Sequence, residues 1–401
     1  MALLPVEDAL AKILDGAAPH AVEKVALETA HDRILADDLA ATITQPPFDT
    51  SAMDGYAVRA SDVATLPAEL ALIGTAQAGR AFAGDVGQGQ CVRIFTGAPV
   101  PAGTDAIVIQ ENVEAIETAI TVVEGFPDPA HIRRRGGDFT MGDILLRRDA
   151  RLTARRLMLA AGMGHAKLPV YRRPVVAILA TGDELVPPGT VPGPAQIICS
   201  NSYGLAAMVA AFGGEPRLIG IARDTRAEIE SAIRRAEGAD ILVTTGGASV
   251  GDHDLVAPAL AALGMTLEFW KIAMRPGKPM MFGRLGSQRV LGLPGNPVSA
   301  LICGRVFLAP LISALAGHPE EDIAPRAAQT TLAIEANGPR QHYMRATLHE
   351  GSGPLPRVTP ILSQDSSLMA PLAAADCLIV RPPGAPPLPA GARIDVLPLD
   401  F

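Results

Sequence analysis

Cysteine is too sparse and too scattered in this chain to staple a fold. Cys91, Cys199, Cys303 and Cys377 stand far apart and form no C-x-x-C pair. That spacing argues against a disulfide framework or a structural zinc, and favours small buried apolar side chains. The eight histidines show no H-E-x-x-H spacing, so a metal at work here would take oxygen ligands. Positive charge is the minority: 34 Lys and Arg face 42 Asp and Glu, a net charge of -8. This argues against broad nucleic-acid binding, and it means that an anionic substrate must be held by a local cationic cluster against the global field. Long apolar runs are also missing, with no uninterrupted stretch able to span a bilayer. Residues 1–14 lack a basic start and carry Glu7, Asp8 and Lys12, unlike a signal peptide. The expectation is a cytoplasmic protein with no membrane or nucleic-acid partner.

What is present is core material. Of 401 residues, 48% are hydrophobic and only 19% charged, enough for two to four domains. Val6, Ala9, Leu10, Ile13 and Leu14 follow a helical rhythm that ends at Gly16. A second helical patch is expected around residues 28–39, before Pro46 and Pro47 stop any helix. Short β-like segments with frequent glycine fill the next stretch to about Gly125, and a helix over residues 153–161 returns the chain to its first domain. Residues 173–325 alternate apolar strands with helices, the pattern of a mostly parallel, doubly wound sheet covered on both faces. Beyond Pro325 short strands resume among prolines and glycines, which fits a small closed β domain. The domains expected are 1–45 with 139–172, an inserted β domain at 46–138, the α/β domain at 173–325, and a C-terminal β-barrel-like domain at 326–401.

In a doubly wound sheet, ligands bind beyond the carboxyl ends of the strands. The strand at residues 241–243 runs into Gly246 and Gly247, then Ser249, Asp252 and Asp254 before a helix begins. Free backbone N–H groups, a helix start and two carboxylates in one small volume suit a phosphate with a magnesium ion. The same residues also read as a tight turn whose aspartate caps the helix. Other strands run into Thr181-Gly182-Asp183-Glu184 and into the segment from Lys271 to Lys278. If that segment stays extended, Lys271 and Arg275 share a face, with Lys278 just past the turn. Pro294-Gly295-Asn296 either sets backbone donors against a ligand or starts a helix with Pro297 at its first position. Arg133, Arg134 and Arg135 before a glycine pair could grip an anion or form a solvated charge run. Asp54 and Thr96 read locally as turn residues.

Together, S-A-M-D-G-Y-A at 51–57, T-G-D-E-L at 181–185, S-N-S at 200–202, G-G-A-S-V-G-D-H-D at 246–254, R-P-G-K-P at 275–279 and P-G-N-P-V-S at 294–299 resemble the molybdopterin molybdenumtransferase family, the MoeA and gephyrin E-domain type. The resemblance runs in order along nearly the whole chain. It implies a four-domain homodimer with its cleft between the sheet domain of one subunit and the inserted β domain of the other. It implies a reaction that joins molybdate to adenylylated molybdopterin and releases AMP, with Mg2+ assisting. A handover of substrate from the molybdopterin adenylyltransferase would fit such a pathway. On that basis Asp54, Thr96, Arg133 and Asp138 line one side of the cleft. Thr181, Gly182, Asp183, Glu184, Ser200, Asp224, Gly246, Gly247, Ser249, Lys271, Arg275, Lys278, Pro294, Gly295, Asn296 and Ser366 line the other. Asp252, Asp254 or Glu184 would hold the metal. Two other readings are an adenylyltransferase working on free molybdopterin and a gephyrin-like dimeric scaffold without catalysis.

Overall fold

The computed structural model describes residues 3–246, 255–319, 324–350 and 353–401. They divide into two compact units, one of Met1–Glu23, Asp32–Ala36 and Pro169–Phe401, the other of Lys24–His31 and Asp37–Leu168. The chain opens with α1 (Val6–Leu14), whose Val6, Ala9 and Ile13 are buried on one stripe. The helix expected around residues 28–39 does not form. Leu27–Thr29 makes only a 3-10 turn, and Asp32 adopts φ 60, a conformation that breaks a right-handed helix. Ile34, Leu35 and Ala36 are buried in succession, which a helix with one buried stripe does not permit.

The smaller unit is built on a six-stranded sheet. Its strands are β1 (Gly55–Val58), β2 (Ala68–Ala76), β3 (Gln90–Ile94), β4 (Ala106–Ile109), β5 (Val113–Ala115) and β6 (Ala119–Val122), in spatial order β4-β1-β3-β2-β6-β5. Alternation sends Tyr56, Val58 and Val108 to one apolar cluster and Ala57, Val92 and Ile107 to another. Both faces are therefore covered. Helix α2 (Ala154–Gly162) follows, as its rhythm predicts.

The larger unit carries the central sheet: β7 (Val175–Thr181), α3 (Asn201–Ala211), β8 (Glu215–Ala222), α4 (Arg226–Arg235), β9 (Ile241–Thr245), α5 (Val256–Ala262), β10 (Thr266–Trp270), then β12 (Met281–Leu285) and β13 (Gln288–Leu293) after a short β11 (Met274–Arg275) that joins another sheet. The spatial order is β8-β7-β9-β13-β12-β10. Val176, Ile178, Ile241, Val243 and Leu291 face one core and Ala177, Leu179, Leu242 and Val290 the other. The apolar strands of the sequence thus bury both faces, each large side chain contributing roughly 1.5–3 kcal/mol. Against the first face lies Pro297–Ala316, a 20-residue helix that, against expectation, is apolar enough to cross a membrane although Arg305 interrupts it, yet is mostly buried in the protein. It comprises α6 (Pro297–Cys303), a π turn at Gly304–Leu308 and α7 (Ala309–Ala316).

The last residues form β14 (Arg326–Thr330), β15 (Gln341–His349), β16 (Arg357–Pro360), α8 (Met369–Ala373), β17 (Cys377–Arg381) and β18 (Arg393–Pro398). Pairing runs β11-β15-β16-β14-β18-β17, and β15 also pairs with β17, which closes a five-stranded barrel. All four cysteines are buried free thiols.

Candidate functional site

Strand direction decides which loops meet. β8, β7, β9 and β13 are mutually parallel, and β10 is antiparallel to β12, which is itself antiparallel to β13. Five carboxyl ends and the start of β12 therefore lie along one edge. The residues that follow them are Asp224 after β8, Asp183 and Glu184 after β7, Gly246 after β9, Pro294-Gly295-Asn296 after β13 and Lys271 after β10, with Lys278 shortly before β12. The five gaps between six strands make this edge about 24 Å long. It suits an extended ligand better than a single small ion.

At its acidic end, Asp183 and Asp224 brace each other. The Asp183 N–H donates to Asp224 Oδ2 at 3.3 Å and the Asp224 N–H to Asp183 Oδ1 at 3.2 Å. Arg223 Nη1 donates to the Asp183 carbonyl at 2.7 Å. Among the described residues these bonds engage one oxygen of each exposed carboxylate. Glu184 folds back over Gly182, its Oε2 within 2.4 Å of where a Cβ on Gly182 would stand.

Next along the edge is the switch point between β7 and β9: the connection from β7 runs outward to β8, and the one from β8 crosses back past β7 to β9. Gly246 has φ 88, and a Cβ there would meet the Thr181 carbonyl oxygen at 2.4 Å. Only glycine fits this approach. The Thr181 hydroxyl is buried without a hydrogen-bond partner among the described residues. Gly247, Ser249, Asp252 and Asp254 lie outside the described residues. Pro297 occupies the first turn of α6 behind Asn296. Asn201 Nδ2 donates to the Gly295 carbonyl at 2.8 Å, Asn296 Nδ2 to Ser366 Oγ at 3.1 Å, and the Val298 N–H to the Ser366 carbonyl at 3.2 Å. Ser200 Oγ contacts Met369 Sδ at 3.4 Å. Ser366 is thereby joined to the sheet edge, although it comes from the barrel.

The basic end corrects one expectation. The segment from Lys271 to Lys278 does not stay extended, so even spacing does not put Lys271 and Arg275 on one face. Lys271 adopts φ 74; its N–H donates to the Met280 carbonyl at 2.9 Å and the Ile272 N–H to the Lys278 carbonyl at 3.0 Å. This fold brings the two lysines' backbones back together. Arg275 sits on β11, opposite His342 of β15. None of the three cations forms an ion pair among the described residues.

One residue was not singled out from sequence. Arg345, 1% exposed, donates to the carbonyls of Leu368, Ser363 and Asp365, each at 2.9 Å. Its N–H also bonds Gln364 Oε1 at 2.9 Å. It holds the loop that carries Ser366. A lone arginine inside a strand pattern gives no sequence signal for this.

Within the smaller unit, Asp54 Oδ1 accepts from the Thr96 N–H and the Thr96 hydroxyl, both at 2.8 Å. These bonds, the backbone one foremost, hold the exposed Asp54 carboxyl below its usual range, and Arg93 adds to them. Arg133 pairs with Thr50 in a two-stranded ribbon and remains exposed. Its neighbours are used structurally: Arg134 Nη1 and the Arg135 N–H bond the Asp49 carboxylate at 2.8 and 2.7 Å. The Asp138 N–H donates to the Gln45 carbonyl at 3.1 Å, leaving its carboxylate exposed. Among the described residues no group of three His, Cys, Asp or Glu could hold a metal.

The chain matches three family models: the MoeA N-terminal region (domain I and II) over residues 4–164, a probable molybdopterin binding domain over 177–314, and the MoeA C-terminal region (domain IV) over 327–399. It is 35% identical to a molybdopterin molybdenumtransferase from Haemophilus influenzae, covering 99% of both chains. To one from Bacillus subtilis it is 33% identical over 98% of this chain and 94% of the relative. Among solved structures it is similar to a molybdopterin biosynthesis MoeA protein from Pyrococcus horikoshii, with TM-score 0.83, 30% identity and full coverage of both chains, and to a second with TM-score 0.77 and 26% identity, covering 99% of this chain and 100% of the other.

Proposed function

The chain belongs to the molybdopterin molybdenumtransferase family, and from that premise we propose how its residues divide the work of molybdenum cofactor biosynthesis. It is a transferase. Its substrates are molybdate and adenylylated molybdopterin, taken from the adenylyltransferase that precedes it; water adds across the phosphoanhydride so that AMP leaves, and the two dithiolene thiols displace molybdate oxygens, which depart as water with the thiol protons and protons from solvent. The substrate brings its own sulfur ligands and its own activated phosphate. The protein needs no nucleophile; it must hold two anions together and neutralise phosphate charge.

One observation carries this reading: exposed carboxylates at one end and unpaired lysines at the other lie along a single sheet edge about 24 Å long, with the cationic Arg275 on the neighbouring β11. Lys271, Arg275 and Lys278 bind the oxyanions at one end. Gly246, Thr181 and the turn at Pro294-Gly295-Asn296 present backbone and hydroxyl groups to the phosphates in the middle, with Ser200 and Ser366 beside them. Asp183 and Asp224 orient the far end. Glu184, with Asp252 and Asp254, supplies the oxygen donors that suit magnesium, an ion that commonly binds one or two carboxylates and completes its shell with phosphate oxygens. Bound there, it would neutralise the phosphoanhydride oxygens. Asp54, Thr96, Arg133 and Asp138 act on the substrate from the second subunit of a homodimer, with Asp54 kept ionised by its Thr96 bonds.

The test gives purified protein adenylylated molybdopterin, molybdate and Mg2+. AMP release coupled to cofactor able to reconstitute a molybdoenzyme is expected. Consumption of ATP with free molybdopterin would replace this reading with adenylyl transfer, and dimerisation with neither activity would leave a scaffold.

A further inference from the structure

At the opposite, amino-terminal edge of the same sheet, a cavity of about 700 Å³ opens between the starts of β9 and β13 and the last turns of α4 and α5. None of the residues proposed for the reaction lines it. β9 is five residues long, so the two edges are roughly 17 Å apart. Its apolar lining comes from Ile233, Leu263 and Leu285, which belong to the cluster under α4 and α5, and from Leu315 of the opposite face, and Arg289 also lines it.

Arg289 is 8% exposed. Its Nη2 donates to the Asp15 carbonyl at 2.9 Å, its Nε meets no acceptor, and no carboxylate pairs with it among the described residues. Nearby acids are committed elsewhere. Arg284 takes Glu268 at 2.7 Å and Asp15 at 3.7 Å, while Arg172 grips both oxygens of Asp240 at 2.9 and 2.8 Å. Burial, then the Arg284 charge, lower the pKa of Arg289 against the opposing pull of the Asp15 and Glu268 carboxylates. His20 is pushed toward neutrality by burial and adds no positive charge near pH 7. A buried cation without a partner is costly, and an anion that reaches it recovers part of that cost. Arg234 at the rim, 63% exposed, is paired with Glu230 at 3.6 Å, so Arg289 is the cation the anion meets. The exposed Glu237 beside Arg234 disfavours a highly charged polyanion.

We propose that this cavity is a second binding site, for a small organic anion. Its single acidic head, a carboxylate or a phosphate monoester, faces Arg289, and its compact apolar body rests on Ile233, Leu263 and Leu285. Calorimetric titration of the full chain with benzoate, phenyl phosphate and inorganic phosphate tests this. Saturable binding of benzoate or phenyl phosphate is expected, weakened at least about tenfold by Arg289→Gln. It is also expected to be blocked by Ala18→Trp at the exposed rim, while any weaker phase removed by Lys271→Ala belongs to the other edge. The tighter of the two aromatic probes identifies the head group. Inorganic phosphate binding as tightly as phenyl phosphate would overturn the apolar half of the assignment. No saturation below about 10 mM, equal binding to wild type and Ala18→Trp, or loss only in Lys271→Ala would overturn the site itself.

Discussion

The two ends of the central sheet are equally rich in charge and use it in opposite ways. At the amino edge charge is mostly spent internally: Asp240 accepts from Arg172 and from the Val175 N–H at 2.7 Å, and Glu268 pairs with Arg284. At the carboxyl edge Lys271, Arg275 and Lys278 are without ionic partners among the described residues, and the carboxylates of Asp183 and Asp224 lean only on backbone N–H groups. Paired charge contributes to the fold, whereas unpaired charge at a strand end is left free to meet the substrate proposed above. The contrast is sharpest when one residue is broken at each end. Lys271→Ala should lower kcat/KM for AMP release by about 10²–10³-fold and shift the melting temperature little. An equal loss of stability would place Lys271 among the structural charges.

Asp240→Asn should do the reverse. Removing the charge from a mostly buried carboxylate that binds a guanidinium costs about 2–3 kcal/mol, with AMP release near wild type in the folded fraction. Burial alone would raise the Asp240 pKa, but its bonds to Arg172 and Val175 override that and lower it. A depressed folded pKa means that the stabilisation is present above the unfolded value, near 3.9, and is lost as pH falls through the folded one. Denaturant midpoints of wild type and Asp240→Asn should therefore differ most near neutrality and converge in acid. A gap that widened below pH 4 would contradict this sign.

The smaller unit supplies an intermediate case, a carboxylate that is hydrogen-bonded and exposed at once. Asp54→Ala is expected to lower turnover by about tenfold to a hundredfold with little change in melting temperature. A marked loss of stability with normal turnover would make the Asp54 bonds to Thr96 merely a turn.

How much of this could be read from sequence depended on the kind of residue. Apolar runs at residues 175–180 and 241–243 gave the wound sheet because strands buried on both faces leave a continuous signature. Glycine at 246 was legible because its positive φ and its approach to Thr181 admit no side chain. The helix expected at residues 28–39 failed because Asp32 adopts a left-handed conformation and the apolar residues after it are buried in succession. The shared face of Lys271 and Arg275 failed for a similar reason: spacing arguments assume a regular backbone, and Lys271 at φ 74 ends the strand. Arg345 was invisible because its partners are backbone carbonyls, which any sequence supplies.

Ser366 offers the finest test, since it reaches the carboxyl edge only through its neighbours. Arg345 fixes the loop, and the bond from Asn296 Nδ2 fixes the hydroxyl within it. A neutral hydrogen bond of this kind is worth about 1 kcal/mol net, and the Val298 N–H still holds the Ser366 carbonyl when it is gone. Asn296→Ala should therefore lower kcat/KM only about three- to tenfold, with the fold intact. If the hydroxyl and the amide act as one unit, Ser366→Ala should match that loss and the double variant should be no worse than either single one. Additive losses would mean that each side chain meets the substrate on its own, and that the loop held by Arg345 serves as a second wall of the site.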